Sequence, residues 1–219
     1  MVKKLSNKRK KLINKGANIK DLEKLDIRGS LVLGKNSSVD INIIFEGDVK
    51  IGSDVIIQSN CIIKNSIINS GTIIKSYTII DNAKISEKCI IGPYANIRPG
   101  TRIGQGSSIG NYVEIKNSKI GKSVKINHHS FIGDSNIGNE VIIGAGTITC
   151  NHDGFKINKT FIGKAAYIGS GSKLIAPIKL GSNCIIGAGS VIVENVPSNK
   201  LSLSRPEQLI KDINTKSSS

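Results

Sequence analysis

Aliphatic residues recur along this chain at intervals of six, relieved by occasional steps of five. From Ile51 the beat runs through Ile57, Ile63, Ile68, Ile74, Ile80, Ile85, Ile91 and Ile97. It continues through Ile103, Ile109, Ile115, Ile120, Ile126, Ile132, Ile137, Ile143 and Thr149. After an interruption it resumes at Ile162, Ile168, Leu174, Leu180, Ile186 and Ile192, and upstream Leu33, Val39 and Phe45 keep the same frame. The residue after the aliphatic one is often glycine, as in Ile103-Gly104, Ile109-Gly110, Ile120-Gly121 and Ile186-Gly187. Four positions after it stands something small, such as Ala95, Thr101, Ser107, Val113, Val124, Ser130, Val141, Thr147 and Ala166.

Fixed-period repeats mark a stacked architecture. The pattern predicts an all-β chain, a parallel β-helix of triangular cross-section with about nine coils of three short faces. Aliphatic and small residues point inward, and glycines permit the corners. Each coil bonds to the next about 4.8 Å away, so that stacked coils share a core none could form alone. The boundaries read as a basic helical arm over 1–28, the β-helix over 29–193 with a projecting loop at 150–161, and a tail over 194–219.

Composition adds three constraints. Without Trp, and with four Phe and four Tyr among 219 residues, the interior must be filled by isoleucine, a strand former. The net charge of +15 invites a nucleic-acid reading, but residues 1–24 hold nine Lys or Arg against Asp21 and Glu23, a net +7. A solvated lysine-rich helix accounts for that arm, and nucleic acid is not an expected partner. Cys61, Cys89, Cys150 and Cys184 show no CxxC spacing, and three of them fall in the small-residue slot. They read as reduced thiols. The N-terminus lacks an apolar signal-like region, and no apolar run approaches a membrane span, so a cytoplasmic protein is expected.

Function in a solenoid is expected where the pattern breaks. The largest break is "CNHDGFKINKTF", polar and carrying the turn-forming Asp153-Gly154. A second is "KINHHSFIGD", where His128 stands two positions after Ile126 at a corner of the second face. The equivalent positions are Asn111 in the coil below and Ala145, Ser170 and Ala188 above, a small-residue edge along which a long, thin ligand fits. His129 should project elsewhere. Arg98 and Lys116 stack at a third-face corner one coil apart, and like charges so placed repel unless an anion, such as a phosphate, Glu114 or Asp134, lies near. These cations occupy a different corner from His128. A site shared between subunits would unite the two, which favours an oligomer.

The stretches "LDIRGSL", "EGDVKIG", "CIIKNS", "IGPYANIRPG", "GNYVEIKNSKIGK", "IGAGTITCNHDG" and "LSLSRPEQ" resemble the C-terminal acetyltransferase half of the bifunctional N-acetylglucosamine-1-phosphate uridylyltransferase/glucosamine-1-phosphate N-acetyltransferase family. The likeness runs from about residue 5 to about 208. It implies a left-handed β-helix, a homotrimer with sites between subunits, acetyl-CoA as co-substrate, an amino-sugar phosphate as acceptor and a role in supplying UDP-N-acetylglucosamine for cell-envelope polymers. By the same resemblance His128 is the general base, and Arg98 and Lys116 hold the substrate phosphate. Glu114 orients the amine or the histidine. Ala145, Ser170, Ala188 and Arg205 contact acetyl-CoA, with the Ala145 N–H as oxyanion donor. Asn151 belongs to both half-sites, and His152 lies at the family's cofactor-side tyrosine. No metal is expected, because His128, His129 and His152 make a poor zinc set.

Four positions depart from the family pattern. Phe131 replaces a tyrosine and Ile142 an asparagine of the sugar site, Ile157 replaces a phosphate-binding lysine beside Lys156, and His152 replaces a loop tyrosine. These departures fit an altered acceptor, a slow enzyme or a decayed one, and the basic arm keeps a non-catalytic trimeric scaffold as a rival. The Gly-rich nucleotide loop of the uridylyltransferase is missing, so this is either a fragment or an acetyltransferase whose uridylyltransferase partner is a separate chain.

Overall fold

The structure is a computed structural model that describes residues 16–211. Among the described residues all regular structure is β, in short segments mostly of two to four residues. Segments are short because each face needs only an outward–inward pair before the chain turns a corner. Eleven parallel strands stack along the second face, from Asn18–Ile19 to Leu201–Ser202. Register advances by one coil per strand, as in Ile91 opposite Ile109 and Ile109 opposite Ile126. The first and third faces join into one seventeen-stranded sheet. They are tied by Leu25–Leu33 and Ile43–Ile51, which run unbroken round a corner and pair along their whole length. The result is a left-handed parallel β-helix.

The stack is longer at both ends than the six-residue beat suggests. It begins at Asn18, inside the stretch assigned to the helical arm, and Ala17 and Leu25 are already buried. Ile19 and Ile27 do occupy the frame, opposite Val39 and Phe45, but eight residues separate them, so the beat does not reach back. Residues 1–15, on which the rest of the arm falls, lie outside the described residues. At the other end Val196 bridges to Leu180, and Leu201–Ser202 pairs with Ile185–Ile186. The first part of the presumed tail is therefore a further coil, masked in the sequence because Ser202 stands in an aliphatic slot. The loop is the 151–159 segment, since Cys150 ends one strand and Thr160 begins the next.

The aliphatic ladder lies inside as its period requires: Ile57, Ile74, Ile91, Ile109 and Ile126 are all fully buried, each contributing about 1.5–3 kcal/mol of apolar burial. The small slot is equally internal. Several of its hydroxyls bond to the neighbouring coil: Ser107 Oγ donates to Gly121 O at 2.9 Å and accepts from Val124 N–H at 3.1 Å. Cys61 and Cys89 play the same part, with Sγ 3.2 Å from Lys75 O and from Gly104 O. Burial pushes the Cys61 thiol up to about 11, which removes thiolate reactivity at neutral pH. The glycines that follow the aliphatic residues serve a different purpose from the one the sequence suggested. Gly121 and Gly138 do not have left-handed backbones; a Cβ on Gly121 would lie 2.6 Å from Gly138 C, and one on Gly138 would lie 2.7 Å from Lys164 N. They let successive coils approach, while many corners take their positive φ at asparagines such as Asn65, Asn82 and Asn117, a residue that tolerates it.

Candidate functional site

Two edges of the prism, on either side of the third face, carry the candidate residues. On the edge between second and third faces, His128 ends the strand Lys125–His128, and the register places it directly above Asn111. Its Nδ1 lies 2.8 Å from Asn111 Oδ1. An amide oxygen only accepts, so Nδ1 carries the proton and Nε2 keeps its lone pair. The backbone is also fixed, as Ser130 Oγ donates to His128 O at 2.9 Å. Above it Ala145, Ser170 and Ala188 are exposed and small, as the sequence placed them. The Ala145 N–H has no acceptor among the described residues. The chain then continues past this edge in a further parallel coil. Leu203 lies over Gly187, where a Cβ would collide with its side chain, and Arg205 Nη1 donates to Ala188 O at 3.4 Å.

The edge between third and first faces gathers the charges. Arg98 and Lys116 occupy its successive coils. Arg98 Nη1 donates to Glu114 Oε1 at 2.6 Å, so Glu114 is the anion that relieves the stacked cations. Lys116 has no ion pair among the described residues. Above Lys116 stands Gly133, where a Cβ would lie 2.7 Å from Asn151 Nδ2 and 2.8 Å from Phe131 Cε1. Gly133 thus lets an aromatic ring and an amide pack close against the backbone in the coil above Lys116. Asn151 is aimed there by Asp134, a buried carboxylate whose Oδ2 accepts from Asn151 Nδ2 at 2.6 Å while Oδ1 accepts from Asn117 Nδ2. The loop beyond is tied by Asp153. Its Oδ1 accepts from Phe155 and Lys156 N–H, each at 2.9 Å, and its Oδ2 from Asn158 Nδ2 at 2.8 Å. These bonds, led by Lys156 N–H, hold the Asp153 carboxyl down at about 2.

Within one chain the structure brings Arg98, Lys116, Glu114, Phe131 and Asn151 together, and His128, Ala145, Ser170, Ala188 and Arg205 together. It does not join the two groups. From Asn111 to Lys116 the third face spans five residues, at most ~16 Å. Ile142 is 41% exposed on the second face beside the histidine edge, and His152 and Ile157 bridge the two arms of the loop. Lys156, beside the lysine-to-isoleucine change at Ile157, is exposed in the turn. The three histidines do not converge. His129 tilts against Tyr112 with centroids 4.9 Å apart, and His152 Nδ1 accepts from Gly154 N–H. Among the described residues no group of three or more metal-binding side chains forms.

Sequence reasoning saw Asn111 only as a ladder position, weighed Asp134 only as an anion near the cations, and missed the column Tyr77, Tyr94, Tyr112 and His129, whose rings meet at successive coils. The signal was available as the 17- or 18-residue coil period, which puts each beneath its partner.

The chain matches two known domain families, the bacterial transferase hexapeptide (six repeats) over residues 159–194 and the GMPPB C-terminal domain over 79–153. Neither match spans half of the chain, and the repeat that the second describes is the one the aliphatic ladder displays. It is 52% identical over 202 residues to the bifunctional protein GlmU of Francisella tularensis, and 44% identical over 202 residues to that of Acinetobacter baylyi. Each alignment covers 92% of this chain and 44% of the relative, so this hexapeptide chain spans less than half the length of the curated relatives it matches. Among solved structures, the acetyltransferase domain of PglB from Neisseria gonorrhoeae, determined with acetyl coenzyme A, is 26% identical. Its TM-score is 0.49, with 56% of this chain and 58% of that one covered. Among the described residues no helix is long and apolar enough to cross a membrane.

Proposed function

We propose that this chain is an acetyl-CoA-dependent N-acetyltransferase of glucosamine 1-phosphate, working in the cytoplasm toward UDP-N-acetylglucosamine. The observation that carries the reading is His128, held with Nε2 free at the foot of a small-residue edge that ends at Arg205. That edge suits a long, thin co-substrate, and the unpaired Lys116 beside Arg98 suits a phosphate. Acetyl-CoA supplies an activated acetyl group as a thioester. The sugar amine forms the new N–C bond as the C–S bond breaks. Its proton passes to His128 Nε2 and from there to the departing sulfur, so the histidine is restored. The free Ala145 N–H is placed to donate to the carbonyl oxygen as negative charge builds there.

The site is completed by a second copy in a homotrimer, His128 from one subunit facing Arg98 and Lys116 of its neighbour. The width of the third face separates the two edges within one chain, and that face presents Ile79, Ile148 and Val191 outward, with Phe131 half-buried among them. Uridylyl transfer belongs to another domain or polypeptide.

Release of free thiol from acetyl-CoA with glucosamine 1-phosphate tests the reading. Wild type and His129→Ala are expected to be active and His128→Ala inactive. Bound acetyl-CoA without release would favour the second reading, a different amino-sugar acceptor, which the apolar Phe131 wall and Ile142 support. Neither binding nor release would leave a non-catalytic scaffold.

A further inference from the structure

We propose that Asn111 is the positioning residue of the base, taking the Nδ1 proton of His128 so that the neutral imidazole presents its lone pair at Nε2. The inference deepens the acetyltransferase reading and rests on it for its kinetic consequences, though not for its geometry.

Four observations carry it. Asn111 and His128 are register partners on adjacent parallel strands, so their side chains leave the same edge one coil apart. The 2.8 Å contact joins an oxygen that can only accept to a ring nitrogen that must then donate. Asn111 also grips the next residue, since its backbone oxygen accepts from His129 N–H at 3.0 Å. The ring is thereby held through its side chain and through the peptide that follows it. Finally, Asn111 is half-buried and His128 exposed, which leaves Nε2 as the ring atom open to a ligand.

The partner is an amide, not a carboxylate, and nothing nearby replaces the missing charge. The flanking strands Ser108–Asn111 and Ile142–Ile143 carry no ionisable side chain. The other titratable groups close in sequence or contact are Lys125 on the same strand, His129, and Tyr112 against the His129 ring. A neutral partner orients the imidazole without strongly stabilising imidazolium, which suits a base that must give its proton back to the leaving sulfur. A carboxylate at the same place would hold the proton more tightly.

Histidine-selective ¹⁵N NMR of the wild type, assigned with His129→Gln and His152→Gln, reads the tautomer directly. Protonated Nδ1 and unprotonated Nε2 on neutral His128 are expected, and the opposite tautomer would overturn the proposal. Asn111→Leu should lower kcat about 10- to 100-fold with both KM values within about twofold, and should mix the tautomers. Asn111→Asp should restore the Nδ1–H tautomer and move the acidic limb of the kcat/KM profile up by about one pH unit. An unchanged kcat in Asn111→Leu, or an unmoved limb in Asn111→Asp, would reject the role. If the wild type releases no thiol, the tautomer measurement still decides the inference while the acetyltransferase reading falls.

Discussion

The two edges that border the third face differ in how much of their work a single chain completes. On the histidine edge every polar group that matters is already placed: Asn111 orients the ring, Ser130 holds its backbone, and small residues above leave room. On the cation edge Arg98 is spent on Glu114, and Lys116 is left without an ion pair among the described residues, one coil below Gly133. A rigid ladder can prearrange a base with one hydrogen bond between register partners. A bare ammonium beside another cation is instead an arrangement that an anion completes.

That contrast gives graded expectations. Removing the imidazole should have the largest effect. His128→Ala lowers kcat by about 10²–10⁴-fold and leaves acetyl-CoA binding by calorimetry unchanged, whereas a fall in affinity alone would make the histidine a binding group. Lys116→Met should act in the complementary way, raising KM for the sugar phosphate about 10- to 100-fold, as loss of a charged hydrogen bond implies, with kcat nearly kept. Asp134→Ala tests whether the cation edge is built from beneath. Stranding the amides of Asn117 and Asn151 should destabilise the fold by about 1–3 kcal/mol in denaturant titration and raise KM, and an unaltered KM would detach Asn151 from the site. The smallest effect belongs to Asp153. Its carboxyl is held below the ordinary value, so the ordering it gives the loop is present above about pH 4 and lost as pH falls toward 2. Hydrogen exchange of the Phe155 and Lys156 amides should distinguish wild type from Asp153→Asn at pH 5 and cease to do so near pH 2.

The sequence made the ladder legible because one side-chain position in six had to be aliphatic in coil after coil, and the structure keeps that rule from Leu33 to Ile192 except at the buried Thr149. It failed at the ends for local reasons: an eight-residue step from Ile19 to Ile27, and Ser202 in an aliphatic slot. The columns could also be read, which is why His128 and its small neighbours, and Lys116 over Arg98, fell where expected. Side-chain direction could not. Nothing in the spacing says that Glu114 turns to Arg98, that Asp134 turns to two asparagine amides, or that His129 closes a tyrosine stack. Glycines such as Gly100 and Gly146 do turn with positive φ as expected, but those after the aliphatic positions serve contact between coils, which is invisible in a linear pattern.

The central claim is that the two edges meet across a subunit boundary, and intersubunit complementation tests it most directly. His128→Ala and the double variant Arg98→Ala/Lys116→Ala would be expressed separately and together, and thiol release measured under subsaturating glucosamine 1-phosphate. Each alone should be nearly silent, and coexpression should restore about a quarter of the wild-type rate by random mixing in a cyclic trimer. Coexpressed chains no more active than the sum of the two alone would place base and cations in one subunit and contradict the account.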